Sequence, residues 1–188
     1  MNSITTFRYV ILAFIVLLSV SSCSKEDMDS KGHLTGVNVK LKSTAGVLDK
    51  VYVDIADVQL QVKENTDAPN AWRSLNAISG THNVSDLRDG VELVLVESAA
   101  VESTFIYAIR LVLGDNNFID YNHVLYSLDV TTIGNAAPSN LVRSEFISDG
   151  FYDIVIDIDI DNSVRYDQEE SLIILDPKLY TEIRKIKY

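Results

Sequence analysis

Apolar and polar residues alternate along most of this chain with the two-residue period of β-strands. "LTGVNVKLK" places Val37, Val39 and Leu41 on one face and Asn38, Lys40 and Lys42 on the other, the pattern of a half-buried strand. In "KVYVDIADVQLQV" the apolar positions are odd at Val51, Val53 and Ile55, then even at Val58, Leu60 and Val62. One extra residue turns every later side chain over, so the phase change predicts a β-bulge at Ala56 and Asp57. "AWRSL" predicts a short strand around Trp72. "TFIYAIRLVLG", residues 104–114, is apolar on both faces except at Thr104 and Arg110 and predicts a central strand. "GDNN", 114–117, predicts a hairpin turn, since Gly, Asp and Asn tolerate positive φ.

"FIDY", "HVLYSLDV", "LVRSEFIS", "FYDIVIDIDI" and "SLIILD" predict further strands, with "ENTDAPN", 64–70, and "TTIGNAAPSN", 131–140, as loops. Two stretches are open to helix. "NVSDLRDGVELVLVESAAV" starts with capping residues but contains the β-prone "VELVLV". The tail, "LYTEIRKIKY", spaces Leu179, Ile183 and Ile186 by four and three. Many short strands separated by turn signals predict an all-β fold, an antiparallel β-sandwich with few or no helices. No repeat with a period of 20–50 residues is present.

The first 22 residues do not fit this pattern. Arg8 precedes an uncharged run, Tyr9 to Val20, too short for a stable transmembrane helix and laid out as a secretory signal. The run ends in "VSSCS", where a small residue at Ser22 precedes Cys23; this resembles a bacterial lipobox, with cleavage before Cys23 and acyl chains on that residue. Two or three chains anchor a protein stably where one binds marginally. The expected organisation is a signal peptide over 1–22, a flexible acidic tether over 23–33 and a single sandwich domain over 34–188. "KED", 25–27, resembles the acidic export signal of surface lipoproteins in Bacteroidota-type bacteria.

Charge and cysteine content narrow the partners. The chain carries a net charge of −11, and removing residues 1–22, with one Arg and no acid, leaves −12. So acidic a protein is a poor match for nucleic acid, and the membrane contact expected is through lipid. Cys23 is the only cysteine, so no internal disulfide can form and an apolar core must hold the fold.

Several stretches together resemble the family catalogued as domain of unknown function 4382, whose members are mostly secreted or lipid-anchored bacterial proteins. The pieces are "VYVDIADVQLQV", "AWRSL", "IYAIRLVLGDNN", "LYSLDV" and "DIVIDIDIDNSV" ending in "IILDPKL". They cover Leu34 to Leu179 in order. The family often has a Gly shortly before the aromatic of the "IYAIRLVLGDNN" strand, where this chain has Ser103 and Thr104 before Phe105. The resemblance implies a transthyretin-like or related Greek-key sandwich. It implies no activity and carries over no catalytic residue.

"DIVIDIDIDN", 153–162, is the one stretch that looks like chemistry. In an extended chain Asp153, Asp157, Asp159 and Asp161 share one face and Ile154, Ile156, Ile158 and Ile160 the other. Read as a calcium loop from Asp157, it has carboxylates at the first, third and fifth positions, but Asn162 where glycine belongs and Gln168 where glutamate belongs. Read as a strand, it needs no ion. Each buried Ile contributes roughly 1.5–3 kcal/mol, while carboxylates two residues apart repel by only about 0.6 kcal/mol in water. Lys or Arg on a neighbouring strand would relieve that repulsion. If a cation does bind, Asp159, Asp161 and Asn162, where the chain turns, are its candidate ligands.

His33, His82 and His123 show no metal-ligand spacing, and no nucleophile, phosphate-loop or dinucleotide motif is present. Trp72 and the tyrosines are open to two roles, a sugar-stacking platform or core and cross-strand packing. "NVS", 83–85, matches a glycosylation triplet and is taken as chance. The function expected is a non-enzymatic binding or scaffolding module, monomeric and without a cofactor beyond the lipid on Cys23. It sits on the outer membrane, at the cell surface or the periplasmic face, with a glycan or protein ligand. The alternatives are an anchor subunit of a surface assembly, which would leave an open sheet edge, and a hydrolase with Ser, His and Asp gathered from separate strands.

Overall fold

The computed structural model describes residues 34–44, 46–48, 50–130, 136–140 and 142–187. His33–Tyr188 form one compact unit, and the described apolar core lies wholly inside it. The chain enters as β1 (Leu34–Ser43), β2 (Val51–Gln61), β3 (Trp72–Ser74), β4 (Gly80–Asn83), a single 3-10 turn (Val84–Asp86) and β5 (Leu93–Glu102). It continues through β6 (Phe105–Ile106), β7 (Ala108–Leu113), β8 (Phe118–Tyr121), β9 (Val124–Ser127), β10 (Asp129–Val130), β11 (Ala136–Pro138) and β12 (Ser144–Glu145). It ends with β13 (Phe151–Asp159), the four-residue α1 (Ile160–Ser163), β14 (Val164–Asp167), β15 (Leu172–Leu175) and β16 (Lys178–Ile186). Both stretches left open to helix are mainly strand, as β5 and β16.

The fold is an all-β sandwich. One sheet has the order β16-β13-β1-β5; the other is built on β2, with β3 and β4 along one flank and β7 and β8 along the other. Val37, Val39 and Leu41 of β1 and Ile154, Ile156 and Ile158 of β13 face Val53, Ile55, Val58 and Leu60 of β2 in one continuous cluster, each at most 1% exposed. Antiparallel pairs dominate, but β1 and β13 run parallel, Gly36 beside Phe151 and Ser43 beside Ile158. β10 and β15 are parallel as well.

The bulge lies where the apolar phase flips. Ile55 pairs with Leu113 and Asp57 with Val112, which leaves Ala56 as the extra, exposed residue. That one insertion keeps Val51, Val53 and Ile55 in the core together with Val58 and Leu60.

Four expectations are corrected. "GDNN" is no hairpin: β7 and β8 follow one another along the same flank of β2, and the loop bridges an interruption in that ladder. Buried Asn117 closes the gap, accepting from Asp54 N–H (2.8 Å) and donating to the Gly114 carbonyl (2.7 Å). A β-carbon at Gly114 would collide with the Asp54 carboxylate, which explains the glycine. The hairpin comes later, at Asn122 and His123, both at positive φ (51° and 64°), a two-residue turn between β8 and β9. "HVLYSLDV" is therefore not one strand; it starts in that turn and divides into β9 and β10, which belong to different sheets. The strand expected over 104–114 breaks at Tyr107, and within the 131–140 loop Ala136–Pro138 pair with β7.

Candidate functional site

Asp153, Asp157 and Asp159 lie on the outer face of β13, whereas Asp161, expected on the same strand face, lies in α1 because the strand ends at Asp159; each carboxylate has a partner. β1 runs beside β13, so its polar residues fall beside the acids. Asp153 accepts from Asn38 Nδ2 (2.8 Å) and Lys40 Nζ (2.9 Å). Lys40 also reaches Glu92 (3.4 Å). Asp157 pairs with Lys42 (3.1 Å) and accepts from the Thr44 hydroxyl (2.8 Å). On the other side Arg184 of β16 stands opposite Asp153 and pairs with Glu182 (2.7 Å) and, more loosely, Glu92 (3.9 Å). Partial burial alone would raise the Asp153 carboxyl. The hydrogen bonds from Asn38 and Lys40, with the charges of Lys40 and Arg184, outweigh it and hold the carboxyl below its ordinary value. The same Asp153 hydrogen bond raises Lys40 above the ordinary lysine value.

Of the three candidate cation ligands, Asp159 and Asn162 are bonded to each other, and Asp161 turns away from them to another loop. Asp159 caps α1, accepting from Asn162 N–H (3.2 Å) and Asn162 Nδ2 (2.8 Å). Asp161 turns to the loop after β1 and accepts from the backbone N–H groups of Val47 (2.9 Å) and Leu48 (3.2 Å). A carboxylate satisfied by backbone donors is stable without an ion. Among the described residues no group of three or more His, Cys, Asp or Glu side chains is placed to hold a metal.

Other sequence candidates are placed as follows. Cys23, His33 and the tether lie outside the described residues. His82 is in β4, and His123 in the β8–β9 turn. Asn83 caps the 3-10 turn by accepting from Ser85 N–H (3.2 Å), while the buried Ser85 hydroxyl accepts from Val51 N–H (3.1 Å), so the "NVS" triplet is part of the frame. Several of the aromatic rings stack on one another or on a cation, while Tyr121, Tyr126, Tyr166 and Tyr180 are exposed. Tyr52 lies on Phe118 (4.5 Å between ring centres), Phe146 on Tyr152 (4.2 Å), and the Arg110 guanidinium sits 4.0 Å over Trp72. Desolvation lowers the Arg110 pKa from its ordinary value.

One concavity of the sandwich has no counterpart in the apolar pattern of the strands. A trough of about 580 Å³ runs along β5 at the open flank of the sandwich, lined among others by Leu34, Arg73, Ile78, Leu95, Ala100 and Glu102. Arg73 of β3 and Glu102 of β5 form an ion pair across it (3.2 Å). The segment after β3 is tied to β5 where Ile78 N–H donates to the Leu95 carbonyl (2.7 Å). Two small residues in the β-prone run of β5, Ala99 and Ala100, line the trough and are its nearest signal in the sequence.

The family model described as domain of unknown function (DUF4382) matches residues 35–177, and the chain belongs to that family. No curated protein and no solved structure matches the chain.

Proposed function

We propose that this family member is a non-enzymatic binding module, held at the outer membrane by acyl chains on Cys23. The observation that carries the binding reading is the trough beside β5. Its wall mixes apolar Leu34, Ile78 and Val101 with Arg73, Asn76 and Glu97. Such a mixture suits an amphiphilic ligand, a glycan or a stretch of another protein. The anchoring reading is supported by the uncharged run up to Val20 and by Ser22–Cys23, and the acidic residues behind Cys23 favour the cell surface over the periplasmic face.

Glycan and peptide arrays probed with residues 33–188 test the binding reading. Hits are expected that disappear when Ala100→Arg fills the trough; hits that survive this change would place binding elsewhere. Turnover of an array ligand would favour the hydrolase alternative instead. For the anchor, Cys23→Ala in the full chain should abolish acyl labelling and move the protein out of the membrane fraction. Persistent labelling would refute the lipobox reading.

A further inference from the structure

Exposed sheet edges offer unpaired backbone groups, and natural proteins blunt them with charges, proline, bulges or shortness. Most edges here carry such protection. β5 has Glu97, Glu102 and a register shift with Ser98 at positive φ; β16 alternates Lys178, Glu182 and Arg184; β14 carries Arg165 and Asp167; β11 is three residues long and includes Pro138. β9 differs. Among the described residues it pairs with β8 alone, and "VLYS" has no charge, proline or bulge. It is apolar on both faces, with Val124 48%, Leu125 67% and Tyr126 43% exposed.

Its hydrogen-bonding direction is fixed. Leu128 N–H donates to the Asn117 carbonyl (2.9 Å), so alternation turns the backbone of Val124 and Tyr126 toward β8 and that of Leu125 and Ser127 outward. Two outward residues, one apart, are self-complementary in an antiparallel pair. Leu125 can exchange two hydrogen bonds with Ser127 of another β9, and Ser127 two with that strand's Leu125. Tyr126 then faces its own counterpart at the close, non-hydrogen-bonded position between them, where cross-strand aromatic pairs are favourable. For a chain of net charge −11, an uncharged strand is where a second copy meets least repulsion.

We propose that the free edge of β9 is a self-association surface, at which a second copy of this chain adds its own β9 antiparallel, with Leu125 opposite Ser127 and Tyr126 opposite Tyr126. The pair is isologous and closes on itself, so it ends at a dimer. This departs from the monomer expected from sequence. It stands apart from the trough, since β9 and β5 belong to different sheets.

The test uses residues 33–188, which hold the whole described core and lack cysteine. Sedimentation at rising protein concentration should show a monomer–dimer equilibrium. Leu125→Lys should weaken it about tenfold or more while leaving the melting temperature of the monomer unchanged. Tyr126→Cys under mild oxidation should give a disulfide-linked dimer, because non-hydrogen-bonded partners lie within disulfide reach. Leu125→Cys should stay unlinked. A protein that remains monomeric at every concentration, with Tyr126→Cys unlinked, would overturn the proposal. Linkage through Leu125→Cys in place of Tyr126→Cys would overturn the register.

Discussion

Asp153 is the residue at which the aspartate strand is tied most firmly to its neighbours. Its side chain is 14% exposed and bonded to both Asn38 and Lys40. Asp153→Ala leaves those donors without a partner and is expected to cost about 1–3 kcal/mol in denaturant melts. Asp157 and Lys42 lie nearer to water, and Asp157→Asn is expected to stay within about 0.5 kcal/mol. Acid gives a second readout. The Asp153 carboxyl is held low in the fold, so its contribution is present above the unfolded value of about 3.9 and is lost as pH falls through the folded value. Asp153→Asn should therefore lose less stability than the unaltered protein between neutral pH and pH ~3. The sequence made the alternation of Asp and Ile plain, and it made relief of the repulsion by a basic neighbour strand an open prospect. It could not identify Lys40 and Lys42, because the parallel pairing of β1 with β13 joins segments more than a hundred residues apart.

At the scale of elements, the bulge was legible and the hairpin was not, for one reason. A bulge inside a half-buried strand shifts the apolar phase, which a sequence displays. A turn shows itself only through residues that tolerate positive φ, and such residues serve several geometries. Gly114 and Asn117 meet the demands of an interrupted ladder, whereas the real hairpin uses Asn122 and His123 without a glycine. Two variants separate these roles. Asn117→Ala removes the side chain that satisfies Asp54 N–H and the Gly114 carbonyl, and chemical denaturation is expected to show a loss of about 1–3 kcal/mol. His123→Gly relieves a left-handed backbone and is expected to raise stability by up to about 1 kcal/mol. A loss there would mean that the His123 side chain holds the turn. The tail shows why a period can mislead: Leu179 and Ile183 fit a helix by spacing, yet Leu179, Thr181 and Ile183 also alternate, and β13 offers a strand to pair with.

For the whole molecule, the buried isoleucines and the outward carboxylates of β13 divide the work. Ile156 is fully buried, and Ile156→Ala is expected to cost about 2–5 kcal/mol through lost transfer energy and a cavity. The trough was hidden from the sequence because its walls come from β3, β5 and the start of β1, which only the folded sandwich brings together. The aspartate row serves the frame of the sandwich, and the ligand proposed above is expected at the trough instead. Thermal melts of residues 33–188 with calcium and with chelator test it most directly. The same melting temperature is expected in both, since Asp159 and Asp161 are already satisfied by Asn162, Val47 and Leu48. A rise that grows with calcium and is reversed by chelator would contradict it, because an ion that stabilises the fold must bind the folded state.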